Sequence, residues 1–270
     1  AHFVYQRAMS RQAVISPSVA PVHKEPEFSS EMISQALMWE KVKIQETYEN
    51  WHQIKMEDGY DGWIHSFYLH YSEPLAVEYT FVTDRYVPIY YEKDNESSLA
   101  YLLSYGTYVP IADEIGDLLK IYLPDGNTGY MVSQKQVEER SRKVIIELAK
   151  SLLAVPYLWG GKSSFGYDCT GFVQMVLKTA GMYIQRDTSL QIKNKTLEKI
   201  QIDAAEPGDL LFFLENNRTN HVAFLIGEGK IIHCSGQVKV ESIIEGEPGF
   251  SKQLNQYEKI AMSIKGLILS

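Results

Sequence analysis

Cysteine is scarce in this sequence, which has only two such residues among 270. A fold held together by disulfides needs more cysteines than that, so the class of small disulfide-rich secreted proteins is excluded. The two thiols are Cys169 and Cys234. Cys234 follows a histidine in a predicted strand, so it points to the opposite strand face and is predicted to be a core residue. If Cys169 is a nucleophile, the two thiols are expected to stay unbridged in the active protein.

Excess positive charge and long apolar runs are also missing. The formal net charge is −8, whereas a protein whose main partner is nucleic acid needs a basic face. No apolar run approaches the roughly 18 residues that a membrane-spanning helix requires. The sequence begins with Ala1 and not with Met, which indicates processing or trimming. We therefore expect export to the periplasm or cell envelope if a signal peptide was removed, and a cytoplasmic location otherwise.

A glycine-rich loop that leads into a helix is the stretch around which the chain is organised. The loop, 157–161, reads Tyr-Leu-Trp-Gly-Gly, and the helix is entered through 167–172, Tyr-Asp-Cys-Thr-Gly-Phe. Apolar residues at helical spacing follow Phe172, and Gly181 is the predicted end of this helix. Cys169 therefore lies in the first turn of the helix or one residue before it.

Two interpretations of Cys169 follow from this position. Free N–H groups and the helix dipole stabilise an anion at a helix start, so a thiol there loses its proton more easily and becomes a nucleophile. Asp168 or Thr170 suits the helix cap. The alternative is a small buried cysteine in a core helix, which is the common place for a free cysteine.

Two histidines downstream favour the nucleophile. His221 begins one predicted strand and His233 lies near the end of the next, with a tight turn at 227–230 between them. A lone histidine in a strand is usually structural, but here the separation of 12 is even. If the ladder is regular, the turn geometry could place both rings on one face, close to each other across the strand pair. We predict Cys169 as nucleophile, His221 as general base and His233 as the residue that orients His221.

These motifs together resemble the NlpC/P60 family of cell-wall cysteine peptidases. The resemblance rests on 156–161, 167–172, 220–222 and 232–235, in the order Cys, His, His, and covers about 137–270. It implies an α+β papain-like fold that needs no metal or other cofactor, although the three side chains could in principle ligate zinc. Many members carry Ser where this chain has Thr170, a change that keeps the hydroxyl.

The first half of the chain is predicted to be all-β. Short alternating strands with turn glycines indicate small barrels, and helical spacing begins only at about 137–154. The segments around 51–54 and 59–64 resemble a bacterial SH3 domain. We predict four parts. The N-terminal segment, 1–12, could contain a short helix, and the first SH3-like barrel covers 13–72. A divergent second barrel covers 73–136 and starts with a linker at Glu73-Pro74, and the peptidase domain covers 137–270.

The resemblance also implies substrate contacts. Members with an N-terminal SH3 module cleave free stem peptides of peptidoglycan, and the bond they cut follows an L-Ala-γ-D-Glu with an unblocked amine. In these members the barrel closes one end of the cleft. The phenol of Tyr157 could donate to the oxyanion beside the Cys169 N–H, or be a core aromatic. The residues implied in substrate binding are Glu31, Tyr60, Asp168 and Thr170, with Asp61 as an alternative acidic group. Asp168 could instead serve only as the helix cap.

The leading hypothesis is a γ-D-glutamyl-L-diamino acid endopeptidase of the dipeptidyl-peptidase VI type, which releases L-Ala-γ-D-Glu during cell-wall peptide turnover or recycling. The rival from another class is a wall-binding SH3 protein with a vestigial site, which an intact Cys, His, His set argues against. A third hypothesis is an amidase or acyltransferase that uses the same thiol chemistry on intact peptidoglycan.

Overall fold

The computed structural model describes residues 11–72, 75–93 and 98–270. Within them the chain divides into two compact units, Ala1–Gln136 and Val137–Ser270. The predicted helix near the N-terminus and the predicted linker at Glu73-Pro74 lie outside the described residues, except that Arg11 begins a strand and not a helix. The predicted fold class is confirmed in outline, since an all-β unit precedes a unit of mixed helices and strands.

The first half of unit 1 forms an antiparallel sheet in which alternating residues are buried. Its strands are β1 (Arg11–Ile15), β2 (Val19–His23), β3 (Met32–Leu37), β4 (Lys41–Tyr48), β5 (Trp51–Met56), β6 (Asp61–His65) and β7 (Leu69–His70). They pair in the order β3-β2-β6-β5-β4-β1-β7. Lys41–Tyr48 shows the expected period, with Val42 and Ile44 buried between exposed lysines.

The second half of unit 1 forms a separate antiparallel sheet. Its strands are β8 (Tyr79–Phe81), β9 (Tyr86–Tyr90), β10 (Leu99–Ser104), β11 (Tyr108–Ile115), β12 (Leu118–Tyr122) and β13 (Thr128–Val132). They pair in the order β10-β9-β13-β12-β11-β8. Two sheets therefore follow each other along the chain, as the prediction of two small β modules requires.

Trp39 joins the two sheets of unit 1. It packs with Val14 and Met38 into the core of the second sheet, and its indole N–H donates to the Tyr122 carbonyl at 3.0 Å. Its φ is 65°, a left-handed conformation that is unusual for a bulky residue. Packing and this hydrogen bond offset the strain of that conformation. Residues of the first module therefore contribute to the core of the second sheet, while the first sheet also has a core of its own.

Unit 2 contains a six-stranded antiparallel sheet and the helices. Its helices are α1 (Arg142–Ser151), α2 (Cys169–Thr179), α3 (Thr188–Gln191), α4 (Lys252–Asn255) and α5 (Lys265–Leu269). Its strands are β14 (Lys162–Ser163), β15 (Gly166–Tyr167), β16 (Glu198–Ile200), β17 (Leu210–Glu215), β18 (Arg218–Gly227), β19 (Lys230–Ser235), β20 (Gln237–Ser242) and β21 (Glu258–Ser263). The large sheet has the order β16-β21-β17-β18-β19-β20, and β14 pairs only with β15.

Side-chain caps mark the starts of the two long helices of unit 2. Helix α1 begins at Arg142, capped by the Ser141 hydroxyl, and so it starts later than the break in β pattern at 137 indicated. Helix α2 begins at Cys169 and ends before Gly181, whose φ is +73°. The predicted end of this helix is therefore confirmed, and the left-handed glycine explains it.

Glycines let the loop before α2 touch the helix. A Cβ on Gly171 would collide with the carbonyl oxygen of Gly161, and a Cβ on Gly161 would collide with the carbonyl of Gly166. The Gly161 carbonyl cannot easily withdraw, because it accepts the Asp168 N–H at 3.1 Å. The backbone on both sides of Cys169 is thus fixed by contacts that only glycine permits.

We expect Gly171→Ala to destabilise unit 2 by about 1–3 kcal/mol, because the added methyl group overpacks the loop against the helix. At a helix position without such a contact, the same change stabilises by about 0.5–1 kcal/mol. The sign of the change in unfolding free energy, measured by urea denaturation, therefore decides whether the close approach exists. A stabilised variant would contradict the described packing.

Candidate active site

Cys169 is the first residue of α2, as the sequence predicts. The carboxylate of Asp168 caps the helix by accepting the Gly171 N–H at 2.6 Å. The Cys169 side chain is mostly buried but reaches the surface, with 9% of the residue exposed. The N–H groups of Thr170 and Val222 lie close enough to the sulfur to favour its thiolate. The nucleophile candidate therefore stands where the start of α2 meets strand β18.

A buried arginine holds the cap in place. Arg186 is 1% exposed, and its guanidinium donates to both carboxylate oxygens of Asp168, at 3.0 and 2.6 Å. The Thr170 hydroxyl donates to the same carboxylate at 2.9 Å and is buried with it. Gln191 ties the following segment to this cluster by donating to the Thr170 carbonyl at 3.2 Å. The described contacts of Asp168 and Thr170 are therefore those of a buried cap, and their predicted part in substrate binding stays a prediction.

His221 and His233 lie in hydrogen-bond contact on one face of the sheet. Nε2 of His221 and Nδ1 of His233 are 2.7 Å apart, and the two rings meet edge to face. His233 is fully buried, whereas His221 is partly exposed. The predicted contact between the two imidazoles is therefore confirmed, and His221 is the ring that faces the accessible side.

The ladder that brings the histidines together is not regular, and the turn alone does not put both rings on one face. At the turn, Gly227 pairs with Lys230. Opposite residues share a face and faces alternate along a strand, so this register alone would put the two histidines on opposite faces. A one-residue shift follows, after which Phe224 pairs with Ile232. This bulge returns both rings to the same face.

A carboxylate that the sequence reasoning missed continues the row of hydrogen bonds. Nε2 of His233 lies 2.8 Å from Oε2 of Glu241, and Nζ of Lys239 lies 3.1 Å from the other oxygen of that carboxylate. Lys239 pairs directly with His233 across β19 and β20, and Glu241 is two residues further on the same face. The polar alternation of Lys239 and Glu241 in β20 was a usable signal, but only with the strand register known.

Burial sets the protonation of the site. It raises the pKa of Cys169 to about 12, with a smaller rise from Asp168, and the N–H of Val222, the charge of Arg186 and the N–H of Thr170 oppose this only in part. Burial lowers the pKa of His221 to about 3 and that of His233 to about 4, although Glu241 acts to raise the latter. At neutral pH the free protein therefore holds a neutral thiol and two neutral imidazoles.

The remaining predicted residues are placed as follows. Tyr157 is partly buried, and burial together with the nearby Cys169 raises its pKa to about 12, so its phenol keeps the proton needed to donate. Glu31, Tyr60 and Asp61 lie in unit 1. Glu31 is exposed, 3.7 Å from Lys24, Tyr60 packs against the core of the first sheet, and Asp61 is 3.8 Å from Lys55.

The prediction that the second thiol, Cys234, is a core residue is confirmed. Cys234 is fully buried and its thiol donates to the Tyr167 carbonyl at 3.1 Å. Both cysteines are free. Arg186 and Gln191 were missed as site residues because the sequence showed them only as flanks of a short helix. A charged residue next to an apolar segment gives no sign of its burial until the fold is known.

Comparison with known families agrees with this geometry. Residues 154–257 match the NlpC/P60 family, and residues 22–67 match a family described as the bacterial dipeptidyl-peptidase Sh3 domain. The comparison thus supports an NlpC/P60 domain in the second half of the chain. The NlpC/P60 match contains all three predicted catalytic residues, and the Sh3 match lies within the predicted first barrel.

Two similar proteins are named as dipeptidyl-peptidases. The gamma-D-glutamyl-L-lysine dipeptidyl-peptidase of Bacillus cereus is 29% identical over 177 residues, which are 61% of this chain and 53% of the relative. Dipeptidyl-peptidase 6 of Lysinibacillus sphaericus is 34% identical over 146 residues, 50% of this chain and 52% of the relative. The chain thus spans about half the length of these curated relatives.

A solved structure shows the same fold. An NlpC/P60 family protein from Bacillus cereus superposes with a TM-score of 0.79 at 23% identity, over 92% of this chain and 98% of that one. Across the part of this chain that the structure describes, no helix is long and apolar enough to cross a membrane. In those same residues, no three His, Cys, Asp or Glu side chains are grouped to hold a metal ion.

Proposed function

We propose that this chain is a cysteine peptidase that cleaves peptides derived from peptidoglycan. The observation that carries the proposal is the hydrogen-bonded pair His221–His233, beside a thiol at the start of a helix. A nucleophile, a base and a group that orients the base are the parts required for covalent catalysis of acyl transfer. The match of residues 154–257 to the NlpC/P60 family supports the same chemistry.

The proposed reaction starts from the neutral pair. Nδ1 of His221 takes the Cys169 proton as the sulfur attacks the scissile carbonyl, and the negative charge moves to the carbonyl oxygen. The Cys169 N–H and the Tyr157 phenol are proposed to donate to that oxygen. His221 then gives its proton to the leaving amine, which departs as a thioester forms. Water, deprotonated by His221, releases the acid and restores the thiol.

The proposed substrate is a free stem peptide with an unblocked N-terminal L-Ala. The bond cleaved is the one between γ-D-Glu and the following diamino acid, which releases L-Ala-γ-D-Glu in cell-wall peptide turnover or recycling. The names of the two relatives and the Sh3 match support this choice. The candidates for binding the free amine, by resemblance to the family, are Glu31, Tyr60, Asp168 and Thr170. An ammonium group pairs well with a carboxylate and a phenol.

Mass spectrometry of products from two matched peptides tests the substrate. One is L-Ala-γ-D-Glu-L-Lys with a free amine, and the other is the same peptide acylated at that amine. We expect cleavage of the free peptide only, because an acylated amine carries no charge to pair with Glu31. Equal cleavage of both would contradict amine recognition and favour action on intact wall. Cleavage of neither would favour the wall-binding or amidase hypotheses.

A further inference from the structure

The carboxylate of Glu241 closes a row of hydrogen bonds that begins at the catalytic base. Its Oε2 lies 2.8 Å from Nε2 of His233, whose Nδ1 is 2.7 Å from Nε2 of His221. We propose that Glu241 is a positioning residue that fixes the tautomers of both histidines, so that the lone pair of His221 is on Nδ1. This inference deepens the proposed function, and it rests on that function for its effect on catalysis.

The tautomers follow from what each atom can donate. Burial acts to raise the pKa of Glu241. The hydrogen bond to Lys239 and the interaction with His233 outweigh this effect and hold the pKa of Glu241 below its ordinary value. An ionised carboxylate only accepts hydrogen bonds, so Nε2 of His233 must carry the proton. Nδ1 of His233 then has only a lone pair, which requires a proton on Nε2 of His221. The remaining nitrogen of His221, Nδ1, is left with a lone pair that can accept the thiol proton.

Without a carboxylate at this position, the row loses its direction. His233 could then carry its proton on Nδ1 and donate toward His221, which would favour the tautomer of His221 with a proton on Nδ1. That tautomer cannot take a proton from Cys169 by the same atom. In triad enzymes, a carboxylate that holds the base in the correct tautomer has the same task, but here the task is performed through a second imidazole.

The strand positions show why Glu241 can serve in this way. His233 is fully buried, so no bulk water competes for Nε2 on that side. Glu241 is itself held, because Nζ of Lys239 lies 3.1 Å from its second oxygen. Lys239 is opposite His233 in the ladder, so the acceptor is fixed by the same strand pair that holds the ring. About a fifth of the Glu241 side chain is exposed, so water can replace it in part after mutation.

The charged and titratable groups around this row come from several elements. The two histidines lie on β18 and β19, and Lys239 and Glu241 lie on β20. Cys169, at the start of α2, lies near the N–H of Val222 in β18, and the neighbouring Asp168 is paired with Arg186. Glu241 is therefore the described carboxylate that contacts the imidazole pair, since Asp168 is already paired.

Two substitutions distinguish the effect of the hydrogen-bond acceptor at position 241 from the effect of its negative charge. Glu241→Ala removes the acceptor, and we expect kcat to fall about 10- to 100-fold, as loss of an orienting partner of a histidine does elsewhere. KM is expected to stay close to that of the wild type, since Glu241 acts through His233 and not on substrate. Glu241→Gln keeps a carbonyl acceptor and should recover most of this loss. Glu245→Gln, at an exposed loop position, is the matched control and should leave kcat unchanged.

A spectroscopic measurement tests the inference without any turnover. Long-range ¹H–¹⁵N NMR of labelled protein at neutral pH reports which nitrogen of each imidazole carries the proton. The signals of the two rings are assigned from variants in which either His221 or His233 is replaced. We expect Nε2–H for both rings in the wild type and in Glu241→Gln, and a change toward Nδ1–H in folded Glu241→Ala. Unchanged tautomers in Glu241→Ala would overturn the proposal, whatever its kcat.

The two proposals can fail separately in this design. If the tautomers follow Glu241 as expected but the wild type cleaves no peptide, the positioning role stands and the proposed function fails. If the wild type cleaves the peptide and Glu241→Ala does so with unchanged kcat, the positioning role fails and the peptidase stands. A loss of kcat that Glu241→Gln does not recover, with tautomers unchanged, also overturns the positioning role.

Discussion

Cys169→Ala is expected to reduce peptide cleavage by about 10⁴-fold or more, because loss of the nucleophile removes the covalent route. The fold should survive the change. Cys169 has 9% of its surface exposed, and alanine keeps the Cβ at the first position of α2. Product formation measured by mass spectrometry, with circular dichroism to confirm folding, tests both parts. Turnover retained in the folded variant would falsify the assignment of the nucleophile.

The other thiol provides the control for this experiment. Cys234 is buried and only donates a hydrogen bond to the Tyr167 carbonyl, a contact that a serine hydroxyl can also make. Cys234→Ser is therefore expected to keep its turnover and to lose only stability. In wild-type protein alkylated by a small thiol reagent, inactivation should follow labelling of Cys169 and not of Cys234. Inactivation that followed Cys234 instead would contradict the proposed division of roles.

Arg186→Met is expected to destabilise unit 2 by about 3–5 kcal/mol, because it leaves the Asp168 carboxylate buried and uncompensated. Both oxygens of Asp168 accept from the Arg186 guanidinium, which is 1% exposed. All the α-helices in the described residues lie in unit 2. Urea denaturation followed by the helical circular dichroism signal therefore reports on this unit.

Two variants show whether the lost charge pair is the cause. Arg218→Met changes an exposed arginine in β18 and should alter the unfolding free energy by no more than about 0.5 kcal/mol. Asp168→Asn combined with Arg186→Met removes both charges and should recover part of the loss, since an unpaired buried charge costs more than a neutral pair. A loss for Arg186→Met no larger than that for Arg218→Met would show that the pair does not hold the cap.

The sequence predicted the parts of the site that depend on local signals. Asp168 before Cys169, with glycines around them, is a helix start that needs no distant contact, and the structure begins α2 at Cys169. Strand alternation in the first half predicted buried and exposed residues such as those of β4. These predictions succeeded because capping and the period of a strand are properties of a few adjacent residues.

Contacts between residues that are far apart in the chain could not be predicted from the sequence. The side on which the two histidines lie depends on one extra residue in β18, and neither the turn nor the even spacing reveals that bulge. Arg186 reaches Asp168 across 18 positions, and Glu241 reaches His233 only through the register of β19 and β20.

The sequence by itself therefore determined which chemical groups this protein has and where helix α2 begins. Tertiary structure alone decided which groups meet. A side chain's partners are set by strand register and by packing, and a shift of one residue moves a side chain to the other face of the sheet. Burial decided the protonation as well, because the raised pKa of Cys169 and the lowered pKa of His221 both come first from loss of water around them.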